Sequence, residues 1–121
     1  MNMPENIEVY IKGNDPAPLL AFLEQNIGSL TFGSEIVTGH HQYNCGEIKV
    51  FINENIAGDY ISVYLVGTNN WSSDIELARD IAKQLHLVVR CDPGDAYPDV
   101  SPHSSTFVEI RREGEHLVAW D

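Results

Sequence analysis

The chain has 121 residues, and its 18 Asp and Glu residues exceed its 7 Lys and Arg residues enough to give a net charge of −11 at pH 7. A hydrophobic fraction of 43 % is ordinary for a globular protein and excludes a disordered chain, so we expect one domain over residues 1–121. An acidic surface repels polyanions and anionic lipid head groups, so we expect neither nucleic acid nor a membrane as partner. No targeting segment and no run of roughly 20 apolar residues is present, which predicts a cytoplasmic protein.

The first half of the chain predicts one helix among four strands. Apolar and polar residues alternate over Ile7–Lys12, as in a half-buried strand, and a helix follows from Asp15 to Gly28. Gly33 is expected to mark a β-bulge, and the polar segment 40–46 is expected to be a connection. Three further strands are predicted over 29–39, 47–53 and 60–66.

The second half predicts a second helix and further strands. Ser73 and Glu76 form a capping box, in which each side chain satisfies a backbone N–H group at the start of a helix. Strands are predicted over 87–90, 106–111 and 116–120. The order of elements indicates an α+β fold: a mostly antiparallel sheet with both helices packed on one face. The nearest arrangement is a ferredoxin-like or related split β-α-β sandwich with extra C-terminal strands.

The segment from Cys91 to Ser105 is the strongest local candidate for a site, because long irregular segments in compact domains are usually functional or disordered. Its prolines stiffen it, Tyr97 can anchor it, and its aspartates concentrate negative charge. Trp71, which precedes the second helix, is a candidate contact residue if it is exposed. The predicted partner-binding residues are Trp71, Asp92, Asp95, Tyr97 and Asp99.

Histidines and cysteines offer a second kind of site. Imidazole and thiolate are the usual zinc ligands and can also form a nucleophile–base pair. The paired spacing of a structural zinc site is missing, and no nucleotide-binding or nucleophile-elbow motif is present. We therefore predict two free thiols and no catalytic residue, metal or cofactor, unless the fold brings these residues together: His40, His41, Cys45, Cys91 and His103.

Several segments resemble a group of small uncharacterised bacterial proteins. They are SDIELAR at 73–79, VRCDPG at 89–94, YPDVSP at 97–102, FVEI at 107–110 and LVAW at 117–120. The resemblance carries no catalytic motif, and it implies a single-domain cytoplasmic protein. Small acidic bacterial domains of this kind are similar to immunity proteins, which plug the cationic active site of a nuclease toxin.

These observations favour a non-catalytic acidic domain that binds a basic protein, as an immunity or inhibitor protein that neutralises a basic toxin or nuclease does. One alternative is a small metal-binding or Cys/His-dependent enzyme. Another is a ligand-sensing or oligomerising module that forms a homodimer through an exposed sheet edge. Unbalanced acidic residues concentrate at 54–59, 92–99 and 113–115, and Arg111 and Arg112 partly offset the last group. Residues 92–99 are therefore the first place to look for a partner.

Overall fold

A computed structural model describes residues 6–67, 70–101 and 104–120. The helices are α1 (Ala17–Ile27) and α2 (Asp74–Leu85), and a short 3-10 helix spans Gly94–Ala96. The strands are β1 (Ile7–Lys12), β2 (Thr31–Val37), β3 (His40–Cys45), β4 (Ile48–Ile56), β5 (Tyr60–Val66), β6 (Val89–Cys91), β7 (Thr106–Arg111) and β8 (Gly114–Ala119).

The strands form one open antiparallel sheet in the order β2-β3-β4-β5-β1-β6-β7-β8. At its centre, β5-β1-β6 is a split β-α-β unit: α2 connects β5 and β6, and the antiparallel strand β1 lies between them. The hairpin of β7 and β8 extends one side, as predicted, and β2 with β3 extends the other. The predicted α+β fold is therefore confirmed.

The hydrophobic core lies between the helices and one face of the sheet. Alternate residues of the central strands, such as Ile7, Val9 and Ile11 of β1, are at most 1 % exposed. They form a single cluster with the buried residues of α1 and α2. Apolar residues at every second position of a strand, or at intervals of about 3.6 residues in a helix, lie on one side of that element and can therefore face a common core. No helix in the described ranges is long and apolar enough to cross a bilayer.

The prediction of a polar connection over 40–46 is wrong, because His40–Cys45 forms β3. This strand pairs with β2 on one side and β4 on the other, and all six of its residues are half-buried. A strand near the sheet edge, with little apolar burial, is stabilised mainly by its ladder of backbone hydrogen bonds, which hydrophobic alternation does not reveal.

Two local predictions hold at atomic detail. The register between β2 and β3 shifts between Phe32 and Ser34, so the bulge at Gly33 is confirmed. A Cβ at Gly33 would lie 2.9 Å from Nδ2 of Asn44 and 3.2 Å from the backbone oxygen of Gln42, so a side chain there would require the Asn44 side chain to move. The capping box of α2 is also present, although Glu76 accepts its hydrogen bond from the N–H of Ser72 at 2.8 Å. The Ser73 hydroxyl oxygen accepts from the Glu76 N–H at 3.4 Å.

Candidate functional site

Residues 92–99, which we call the acidic loop, follow β6 as a series of short turns. The Asp92 carboxylate accepts a hydrogen bond from the N–H of Gly94 at 2.8 Å, and Pro93 between them is buried. The 3-10 helix comes next, and Tyr97 donates its N–H to the carbonyl of Gly94 at 3.4 Å. Val100 then donates to the carbonyl of Tyr97 at 3.1 Å. These bonds give the loop a defined backbone path.

Tyr97 ties the acidic loop to the rest of the molecule, as its position predicted. Its hydroxyl donates a hydrogen bond to Oε2 of Glu115 on β8. The same carboxylate binds Arg79 of α2 through two bonds of 2.9 Å, so three elements meet at Glu115. The hydrogen bond from Arg79 lowers the pKa of Glu115, and the hydrogen bond to that carboxylate raises the pKa of Tyr97. Glu115 therefore stays charged and the Tyr97 hydroxyl stays protonated at neutral pH.

Three carboxylates of the acidic loop face solvent. Asp92, Asp95 and Asp99 are all exposed, and none of them forms an ion pair within the described ranges. A groove of about 400 Å³ lies on one side, between residues 92–96 and the start of α2 at Ser72–Ile75. A second groove, of about 330 Å³, lies on the other side against Val100, Ser101, Ser104 and Thr106. Residues 92–95 of the acidic loop line both grooves and form a ridge between them.

Trp71 lies outside this surface. We expected Trp71 to be a contact residue if it was exposed, but it is only 6 % exposed. Its ring stacks on Phe22 of α1 at 6.0 Å, and its indole N–H donates to Asp80 of α2 at 2.9 Å. The large ring fills the space where the two helices approach, and its polar atom is satisfied within the protein.

The two neighbouring histidines point to opposite faces of the sheet, as successive residues of a strand must. His40 is hydrogen-bonded to Asn53 at 2.7 Å. His41 lies between two carboxylates, 3.1 Å from Glu54 and 3.6 Å from Glu35. His103 lies outside the described residues. Within those residues, no group of three His, Cys, Asp or Glu side chains is placed to hold a metal ion.

The two cysteines are free and far apart, since β4, β5 and β1 lie between the strands that carry them. Cys45 donates its S–H to the carbonyl of Ile27 at 3.2 Å. Cys91 is fully buried, and burial, together with the charges of Asp74 and Asp92, raises its pKa to about 12. A thiol with so high a pKa is not a nucleophile at neutral pH. The described part of the chain brings no thiol and imidazole into a catalytic pair.

The uncovered face of the sheet carries an aromatic cluster that the sequence did not predict. The Arg90 guanidinium lies 5.1 Å from the ring centre of Tyr60 and 5.0 Å from that of Trp120. The Trp120 ring also packs edge-on against Tyr10 at 5.1 Å and Phe107 at 5.2 Å. The alternation of apolar and polar residues within each strand predicts that these side chains lie on the face opposite the core. It does not predict that side chains from different strands contact one another.

Glu109 completes this cluster as the partner of Arg90. It is 5 % exposed and accepts two hydrogen bonds from Arg90, at 2.9 and 3.0 Å, and one from Arg111 at 3.2 Å. Burial by itself would raise the pKa of Glu109, but the bonds from the two arginines outweigh it and lower the pKa. The buried carboxylate is therefore charged and compensated.

No protein-family model, curated protein or solved structure matches this chain. A function for it therefore rests on the chemistry of these surfaces.

Proposed function

We propose that this protein is a non-catalytic binding domain whose acidic loop docks onto a basic partner protein. The observation that carries the proposal is the set of three exposed carboxylates in this loop, Asp92, Asp95 and Asp99, of which Asp92 and Asp95 line both grooves. Arginine and lysine side chains of a partner would pair with these carboxylates and extend into the grooves. Arginine fits best, because its planar guanidinium binds a carboxylate through two parallel hydrogen bonds.

The fixed path of the acidic loop supports this use. A loop that is already held by the Asp92 turn and by the bond from Tyr97 to Glu115 loses little conformational entropy when a partner binds. The net charge of −11 would attract a basic protein over a distance and speed its association.

The class of partner that fits is a basic toxin or nuclease. An acidic ridge can enter a cleft that binds a polyanionic substrate, and it blocks that cleft without any chemistry of its own. We also propose, from the sequence segments alone, that the second half is related to small bacterial proteins, and acidic domains of this kind are similar to immunity proteins. We place this activity in the cytoplasm.

The alternative of an oligomerising module has one observation in its favour. The β8 strand lies at one edge of the sheet, where Leu117 is 43 % exposed, and its ladder in the described residues is with β7 alone. The register shifts in β2 make the opposite edge less suited to pairing. Light scattering over a range of concentrations separates a monomer from such a dimer.

The proposal is tested with three baits in an affinity capture from cells that produce the protein. The baits are the native protein, the loop variant Asp92→Asn/Asp95→Asn/Asp99→Asn, and a control variant Glu47→Gln/Asp59→Asn/Glu113→Gln. Both variants change the net charge by +3, and the control residues are exposed and lie outside the loop. We expect the native and control baits to retain a basic protein at low salt that the loop variant loses.

Binding of that protein should weaken as salt increases, because the contacts are between charges near the surface. Equal capture by the native bait and the loop variant would exclude the acidic loop as the binding surface. A captured protein without basic character, or with binding insensitive to salt, would exclude the electrostatic mechanism.

A further inference from the structure

Four of the seven cationic residues of this acidic protein line one groove. The groove measures about 410 Å³ and lies between α2 and the hairpin of β7 and β8. Arg79 and Lys83 come from α2, one helical turn apart, and Arg111 and Arg112 come from the end of β7 and the turn after it. Ile110 and Gly114 complete the lining together with Glu115.

Only part of this positive charge is neutralised by the protein. Arg79 is bound by Glu115, and Arg111 lies 3.2 Å from Glu109, a carboxylate that it shares with Arg90. Lys83 and Arg112 are exposed and form no ion pair within the described ranges. Glu115 balances Arg79, and the Arg111 guanidinium is bound by Glu109, so the positive charge of the groove comes from Lys83 and Arg112, in a molecule whose net charge is −11.

This clustering is unfavourable for the isolated protein. Like charges four residues apart on a helix, as Arg79 and Lys83 are, destabilise the helix slightly. Lys83 lies in the last turn of α2, where a positive charge interacts favourably with the helix dipole. Arg112 is not in a helix and gains no such stabilisation. An anion bound in the groove would be attracted by these cations and would offset the repulsion between them.

We propose that this groove binds a small phosphorylated molecule. A phosphate group carries up to two negative charges and three acceptor oxygens, which suit one ammonium group and the forked donors of arginine. Lys83 and Arg112 supply these donors, since neither forms an ion pair within the described ranges.

The size and lining of the groove indicate more than a bare phosphate ion. A volume of about 410 Å³ is in the range of small-molecule sites. Ile110 offers an apolar contact, and a Cβ built on Gly114 would meet no atom within 4 Å, so the backbone there is open. These features suit a compact organic group that bears the phosphate.

The test is a titration followed by amide chemical shifts and by calorimetry, with inorganic phosphate and phenyl phosphate as probes and sodium chloride at equal ionic strength as reference. The site variant is Lys83→Gln/Arg112→Gln. The control variant is Lys12→Gln/Lys49→Gln, which removes two exposed cations outside the groove and gives the same net charge.

We expect saturable binding of both probes, with shifts centred on the groove and tighter binding of phenyl phosphate. The site variant should weaken binding at least tenfold, and the control variant less than twofold. Shifts spread over all the cationic residues, no saturation, or equal weakening by both variants would overturn the proposal. The acidic loop is intact in both variants, so these outcomes are independent of whether it binds a basic protein.

Discussion

At the scale of single residues, Arg90 holds the uncovered face of the sheet together. Its guanidinium stacks on Tyr60 and Trp120 and compensates the charge of Glu109. The side chains of Arg90 and Glu109 are only 18 % and 7 % exposed, so water screens this pair less than it screens a surface ion pair.

Replacing Arg90 should therefore be costly. We expect Arg90→Met to lower the free energy of unfolding by about 2–3 kcal/mol, because it removes the stacking and leaves a buried carboxylate short of a partner. Arg111→Met is the control, since the Arg111 side chain is 51 % exposed. It should cost less than about 1 kcal/mol. Urea unfolding at pH 7 measures the free energy of unfolding of both variants. An equal decrease in the two variants would contradict the special role of Arg90 in stabilising this face of the sheet.

The same pair predicts a pH dependence. The pKa of Glu109 is lower in the folded protein than its ordinary value of 4.5. Its charged form therefore stabilises the fold fully above that ordinary value, and this stabilisation is lost as the pH falls through the lowered pKa. The difference in stability between the native protein and Arg90→Met should shrink as the pH falls below 4.5. A difference that grows on acidification would contradict this sign.

The Cys91 thiol should be unreactive toward alkylating reagents in the folded state. A pKa of about 12 in place of 9.0 lowers the thiolate fraction at pH 8 by roughly a thousandfold, and the thiol is also inaccessible. We expect iodoacetamide to modify Cys91 only after denaturation, as measured by mass spectrometry of peptides. Modification of Cys91 in the native protein at the rate seen in denaturant would show that β6 opens readily.

At the scale of elements, the acidic loop depends on its contact with β8. We expect Tyr97→Phe to lower the free energy of unfolding by about 1 kcal/mol and to speed amide hydrogen exchange over residues 94–100. Tyr64→Phe is a matched control, because that tyrosine is half-buried and its hydroxyl forms no hydrogen bond within the described residues. Unchanged exchange in the loop of Tyr97→Phe would show that the turns hold it without the anchor.

The elements that the sequence predicted are those whose signals are local. Alternation identified β1, and the residues Ser73 and Glu76 identified the start of α2. The acidic loop could be located because its prolines, glycine and aspartates lie together in the sequence. The β3 strand could not, since its polar residues are ordered by the neighbouring strands β2 and β4.

The aromatic cluster and the cationic groove could not be predicted from the sequence either, because they also depend on contacts between distant segments. Tyr10, Arg90 and Glu109 are cross-strand neighbours only because β1 pairs with β6 and β6 pairs with β7. Arg79 and Arg112 likewise meet only when α2 packs beside the last hairpin. Such contacts depend on pairings between distant segments, which one sequence does not specify.

At the scale of the whole molecule, the net charge opposes folding. A compact chain with a charge of −11 repels itself, and salt screens that repulsion over a Debye length of about 8 Å at physiological ionic strength. We expect the melting temperature to rise by about 3 °C between about 20 and 300 mM sodium chloride. The exposed ion pair between Arg79 and Glu115 weakens under the same conditions, but its contribution is small.

The variant Glu47→Gln/Asp59→Asn/Glu113→Gln serves as the control for this effect as well. Its net charge is −11 + 3 = −8, so its melting temperature should rise less with salt. A melting temperature that falls with salt in the native protein would mean that attractive ion pairs, and not self-repulsion, dominate the electrostatics.

The position of β1 has a consequence for the order in which the molecule folds. It is the first of the described strands to be synthesised, yet its neighbours in the sheet are β5 and β6, with Leu65 opposite Ile7 and Arg90 opposite Tyr10. The meander of β2 to β5 and the hairpin of β7 and β8 can form from local contacts, but β1 cannot complete its pairing until both β5 and β6 have been synthesised. Its insertion joins the two halves of the sheet, and this loop closure over a long stretch of chain should set the folding rate. Until that step the apolar side of β1, with Ile7, Val9 and Ile11, is not covered by the core.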